Sequence, residues 1–317
     1  MKGLELSERY YRAYGQPMLE SRFPALLPHL ACGLIGEGSE CLGYDDEISR
    51  DHDFEPGFIL FLPGENVVSR RDAFLLERAY QALPDTFEGF RRKGISPVGG
   101  NRLGVRRLDA FLEEKTGRPD GVLTLKDWMT VPEQALLEVT AGRVFYDGLG
   151  TLTGVRAGLR RLPDDVRVKR LAGHLLLMGQ AGQYNYGRCL RRGEHAAAAS
   201  CLYRFAESAV HAAHLLEGRY VPYYKWQFRS LREIPVVAEG YSGEALSADL
   251  EALMTGPGDA GKQEAVERVA MRFAEALREF GLTDGNIDPE LERAAYAVNG
   301  RVEDPGIRNL NILAAVI

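Results

Sequence analysis

Residues 34–62 read LIGEGSECLGYDDEISRDHDFEPGFILFL. An apolar run from Ala31 to Ile35 leads into this stretch and a second, Phe58 to Leu62, closes it; each has the length of a buried strand. Between them stand a Gly-Ser turn (Gly38, Ser39), eleven further residues, and the triplet Asp51-His52-Asp53. Side chains on an extended segment alternate with period two, so Asp51 and Asp53 share a face and can grip one hard cation. Mg²⁺, or Mn²⁺ in its place, takes carboxylate oxygens and keeps room for substrate phosphates. His52 points the other way and reads as a packing residue rather than a base. At the turn, Gly38 lets the backbone approach an anion, and exposed N–H groups with the Ser39 hydroxyl can hold phosphate oxygens if a helix starts there.

A lone Asp-x-Asp is more often a solvated turn or a cap, and Asp45, Asp46 and Glu47 show that acids are common in this loop. The upstream strand, the Gly-Ser turn and the downstream apolar run lift the pair above that reading.

The chain has 317 residues, 45% of them hydrophobic, which is enough for a substantial core and for two domains. The net charge of -6 gives no basic footprint, so a nucleic acid bound through many phosphates is disfavoured and a small-molecule partner is expected. No segment has the ~18 apolar residues of a membrane helix, and the N-terminus lacks an export signal. Four cysteines without metal-finger spacing fit a reduced, cytoplasmic protein with free thiols.

Outward from the central stretch, residues 4–28 carry aromatic and aliphatic positions at near-helical spacing, with Ser7 as N-cap and Pro17 as a break. Residues 71–83 read as an amphipathic helix. Leu103 to Leu108 reads as a strand running into a helix that Asp109 caps and Gly117 ends. Arg143 to Tyr146 is strand-like. From Pro163 onward the pattern is helical, over 166–180, 196–217, 263–280 and 289–298. This predicts an α+β chain: residues 1–160 an α/β domain with a short mixed sheet, residues 161–317 an α-helical bundle.

An apolar strand, Gly-Ser, about ten residues and Asp-x-Asp together resemble the DNA polymerase β-like nucleotidyltransferase superfamily. GSECLGYDDEISRDHDF is similar, more narrowly, to the opening motif of a bacterial family of nucleotidyltransferase-like proteins. In that family the motif precedes a Gly-Gln-Tyr-Asn-Tyr stretch and a Tyr-Lys-Trp stretch, present here at Gly182–Tyr186 and Tyr224–Trp226. The resemblance implies that Asp51 and Asp53 hold Mg²⁺ on a nucleoside triphosphate, with ATP the first choice, and that a third carboxylate comes from a neighbouring strand. Asp147 and Asp109 compete for that place. It also implies that Tyr186, Tyr224 and Lys225 serve the substrates from the helical half, Lys225 as a point charge for a phosphate. The expected reaction is transfer of a nucleotidyl group to a hydroxyl of a small acceptor. A nucleotide-binding regulator or pseudoenzyme, or a nucleotidyltransferase acting on a partner protein, are the alternatives. His211 and His214, three apart, have the spacing of a metal pair, but without an evident third ligand they read as packed or surface histidines.

Overall fold

The computed structural model describes residues 1–50, 54–92 and 102–316. The fold is α+β, and the chain divides into two compact units: Met1–Asp127 with Ala135–Arg160, and Trp128–Gln134 with Arg161–Ile317.

The first unit opens with α1 (Gly3–Tyr10), which passes through a π-helical stretch, Tyr11–Gly15, into α2 (Gln16–Arg22). Pro17 therefore does not break the helix. It sits in the first turn of α2, where its missing N–H costs little, and the wider π turn ahead of it absorbs the mismatch. Ser7 is not a cap either; it is buried inside α1 and its hydroxyl donates to Gly57 O. The sheet comes next: β1 (Ala31–Leu34), a single-turn α3 (Ser39–Leu42), and β2 (Ile59–Leu62). Then follow α4 (Arg70–Gln81), a small hairpin of β3 (Thr86–Phe87) and β4 (Phe90–Arg91), β5 (Gly104–Arg107) and α5 (Leu108–Thr116). Beyond α6 (Leu125–Thr130) and α7 (Glu133–Thr140) the unit closes with β6 (Arg143–Asp147) and α8 (Thr151–Gly158).

The four-stranded sheet has the order β5-β2-β1-β6 and is mixed. β1 pairs antiparallel with β2 (Gly33 opposite Ile59) and with β6 (Ala31 opposite Asp147), and β2 pairs parallel with β5 (Ile59 opposite Gly104). β1 and β2 are buried throughout, as continuous apolar runs require. Against them pack Tyr10, Tyr11, Leu76 and Tyr80. The Tyr80 hydroxyl donates to Phe58 O at 2.7 Å and accepts from Phe58 N at 3.0 Å, fixing the backbone just ahead of β2.

The second unit is helical: α9 (Asp164–Met178), a π-helical stretch Gly179–Tyr186, α10 (Gly187–Arg191), α11 (His195–Leu216), α12 (Gln227–Arg232), α13 (Gly243–Thr255), α14 (Lys262–Glu279), α15 (Leu291–Asn299) and a short α16 (Pro305–Arg308). α9 is its axis, buried on nearly every side. A Cβ at Gly173 would stand 2.3 Å from Val316, and one at Gly179 would stand 2.9 Å from the Glu292 N, so the glycines permit the close approach of the C-terminal segment and α15. Buried Lys169 donates to Asn299 Oδ1 and Leu310 O, both at 2.8 Å, and so ties α9 to the same elements. Among the described residues no helix is long and apolar enough to cross a membrane.

Candidate functional site

Antiparallel pairing brings the end of β1, the start of β2 and the start of β6 to one end of the sheet. The Gly-Ser turn leaves β1 at that end. Gly36 and Gly38 have φ of +116° and +114°, a region that only glycine enters at no steric cost. A Cβ at Gly36 would meet nothing within 4 Å, so the backbone there is open to an approaching group. At Gly38 a Cβ would stand 2.7 Å from Glu40 Oε2 and 2.9 Å from Arg102 Nη1. The turn therefore rests on an ion pair: buried Glu40 accepts a hydrogen bond from Arg102. The expected helix after Ser39 is a single turn, too short to add a helix dipole of consequence.

Beside this turn lies a cavity of about 300 Å³ lined by Gly36, Glu37, Ile59, β5 and the inner face of α5. Three cations line it, Arg102, Arg106 and Lys115, against Glu37 and Glu114. Arg106 pairs with Glu114, and Lys115 with Glu138 at 2.6 Å. Burial works to lower the Lys115 pKa, but the hydrogen bond and charge of Glu138 outweigh it and hold the amine raised, hence protonated. The cavity thus sets three guanidinium and ammonium donors, each already paired with a carboxylate, next to open backbone whose N–H groups suit phosphate oxygens.

Asp51, His52 and Asp53 lie outside the described residues. Of the neighbouring acids, Asp45 and Asp46 are occupied. Asp45 is buried and accepts from Gly3 N at 2.7 Å, capping α1 from a distance, with Lys2 3.5 Å from its other oxygen. Asp46 accepts from Ser49 N at 3.0 Å in the turn that follows. Among the described residues no group of three or more His, Cys, Asp or Glu is placed to hold a metal ion.

Neither competitor for the third carboxylate stands near the turn. Asp147 is paired with Ala31, at the start of β1, roughly 10 Å of strand from its end. Its Oδ2 accepts from Thr153 N at 2.7 Å and holds the first turn of α8. Asp109 follows β5, whose last residue pairs with Leu62, again at the far end. It is not the N-cap expected of it: α5 starts at Leu108 with Arg107 as cap, and Asp109 accepts from Ala110 N within the first turn.

In the helical unit, Tyr186 is fully buried and its hydroxyl donates to Asp259 Oδ1 at 3.2 Å, so it packs as a core anchor with a satisfied tip. Tyr224 and Lys225 are exposed on a 3-10 turn, with the Lys225 ammonium 5.4 Å from the Trp226 ring centroid. His211 and His214 face different partners. His214 is buried between Val210 O (2.8 Å) and Ser230 Oγ (2.9 Å), whereas His211 stacks on His174. Sequence reasoning missed Gly36, Glu40, Arg102 and His174. Gly36 alone carried a local signal, as the first glycine of a Gly-x-Gly.

Residues 128–227 match the model of a domain of unknown function, DUF4037; this is under half of the chain. No protein with a curated description matches. A nucleotidyltransferase-like protein from Exiguobacterium sibiricum 255-15 is a similar solved structure, 11% identical, over 94% of this chain and 81% of that one. The TM-score of 0.37 is too low for that likeness to bear on fold or activity.

Proposed function

We propose that this chain is a Mg²⁺-dependent nucleotidyltransferase that moves a nucleoside monophosphate from a triphosphate, ATP first, to a hydroxyl of a small acceptor. The observation that carries the reading is the open turn at Gly36 and Gly38, backed by Arg102 and bordered by a cation-lined cavity, at the sheet end where β2 begins. The Asp51-x-Asp53 pair precedes β2 in the sequence by only a few residues. Backbone N–H groups of the turn and the Ser39 hydroxyl would hold the outer phosphates, and the metal would offset their charge.

Asp51 and Asp53 supply an all-oxygen donor set suited to Mg²⁺, and bound there the ion would neutralise charge on the triphosphate. In the transfer the acceptor oxygen forms a new bond to the α-phosphorus, and the bond from that phosphorus to pyrophosphate breaks. The hydroxyl proton passes to a carboxylate of the pair. The protein's part is mainly positioning and charge compensation. Free cysteines, two of them buried, fit a reducing cytoplasmic setting.

One observation favours a second reading, a nucleotide-binding protein that does not transfer: Asp109 and Asp147 both stand at the end of the sheet away from Gly38. Pyrophosphate release separates the two. Purified chain with Mg²⁺, ATP and a metabolite extract releases pyrophosphate under the first reading. Nucleotide binding without release under every acceptor supplied supports the second.

A further inference from the structure

We propose that the helical unit carries a binding pocket of its own, built on His174 and His211, for an uncharged planar nitrogen heterocycle of the nucleobase kind. The pocket lies wholly within that unit and does not depend on the metal–nucleotide reading above.

His174 projects from α9 and His211 from α11, and their rings stack with centroids 4.5 Å apart and planes 13° from parallel. The Nδ1 of each ring is buried and has no hydrogen-bond partner, and His174 is only 5% exposed. Buried polar atoms are nearly always paired, so two orphaned nitrogens on stacked rings call for a partner from outside the chain. A cavity of about 220 Å³ adjoins them, lined also by Glu133, Arg170, Val221 and Tyr224. That is below the ~300–1,000 Å³ of pockets for drug-sized ligands, and suits a single ring system.

The charge balance narrows the chemistry. Arg170 and Glu133 are buried and form an ion pair at 3.3 Å. Arg170 also donates to Trp128 O and Val131 O, and Glu133 accepts from Val221 N, so the two charges cancel and are held in place. Both imidazoles are neutral at pH 7, each chiefly because burial disfavours its charged form. A charged ligand would lose its hydration with no opposite charge to replace it. An aliphatic one would leave the His174 and His211 Nδ1 atoms and Arg170 Nε unpaired. A neutral heterocycle, with a donor and an acceptor along one ring edge, matches imidazoles that can each take either tautomer. Tyr224, with its exposed ring, offers a face on which such a ring can stack. A metal is the poorer fit: no third ligand joins the two histidines among the described residues.

The test uses the full chain in EDTA, titrated separately with adenosine, cytidine, guanosine and uridine, and reads the histidine ring nitrogens by long-range nitrogen–proton NMR. Nucleosides carry no phosphate, so neither the Gly-Ser turn nor a metal can account for a response. The expected result is that one or more of the four moves the His174 and His211 Nδ1 resonances. His211→Gln, at a half-buried position, should then weaken binding at least about tenfold, and His174→Leu should abolish it. If His174→Leu does not fold, the His211→Gln titration decides alone. No movement with any of the four up to about 10 mM, or an unchanged affinity in folded His211→Gln, overturns the proposal.

Discussion

Arg102 lies directly beneath Gly38, its Nη1 2.9 Å from where a Cβ would stand, while its Nη2 donates to the buried Glu40 carboxylate. One side chain thus supports the turn from below and neutralises the acid that would otherwise face it. Removing the guanidinium leaves Glu40 buried without its partner, so Arg102→Met should cost about 3 kcal/mol of stability. The double variant Glu40→Gln with Arg102→Met should recover part of that loss in thermal melting, because the uncompensated charge goes with it. Equal melting of the single and double variants would contradict the pairing.

Gly38 itself cannot report on phosphate binding through affinity alone. Its φ of +114° and the nearby ion pair mean that Gly38→Val should lower the melting temperature in the absence of any nucleotide. Ser39→Ala is the cleaner probe. It should melt like the parent and weaken Mg-ATP by about 0.5–1.5 kcal/mol, the net worth of one hydroxyl bond.

Tyr80 is buried and bonds both backbone groups of Phe58. Tyr80→Phe keeps the ring but orphans the buried Phe58 N–H, while Phe58 O keeps its bond from Gly104 N at 3.0 Å, at a cost of about 1–2 kcal/mol. Hydrogen exchange at the Phe58 amide should accelerate, and unchanged exchange would show that the hydroxyl does not hold the entry to β2.

Buried histidines give the helical unit an acid sensitivity with a defined sign. Burial lowers the pKa of His174, His211 and His214, the last to about 3. In the unfolded chain each titrates at about 6.5. Below that value the unfolded state takes up protons that the folded state refuses, so the stability is full above about pH 6.5 and falls as pH drops, by up to ~1.4 kcal/mol per pH unit for each histidine. Urea midpoints of the full chain should decline between pH 6.5 and 5, above the range where most carboxylates titrate. His214→Leu should flatten the slope; a slope equal to that of the parent would remove His214 from the account.

Asp147 supplies a contrast at the far end of the sheet. Its carboxylate holds Thr153 N in the first turn of α8, so Asp147→Ala should cost about 1 kcal/mol, as loss of a helix cap does. Mg-ATP affinity should not change. A large loss of affinity with normal melting would place Asp147 at the nucleotide after all.

The strands β1, β2 and β6 and the helices α4, α9, α11 and α14 were legible in the sequence, because each is a local pattern of apolar residues read directly by period. The π-helical stretch Gly179–Tyr186 was not. Its glycines, asparagine and tyrosines are poor helix formers, yet a Cβ at Gly182 would stand 2.4 Å from Phe205 and 2.8 Å from Val266, so packing on α11 and α14 dictates both the glycine and the helix. At the site, the Gly-Ser turn announced itself, but the pairing of Glu40 with Arg102 and the stacking of His174 on His211 did not. Their partners lie far apart along the chain, and spacing carries no information about pairs that only the tertiary fold brings together. Strand direction likewise places Asp109 and Asp147 at the sheet end away from Gly38, and direction was not readable from either strand alone.

The proposed reaction requires Asp51 and Asp53 together to hold the metal of a bound nucleotide at the Gly36–Gly38 turn. Titration calorimetry of Mg-ATP into the parent, Asp51→Ala and Asp53→Ala chains tests it most directly. The parent should bind in a way that EDTA removes, and each variant should lose at least about tenfold in affinity with melting unchanged. Parent-like binding of Mg-ATP by both variants would contradict it.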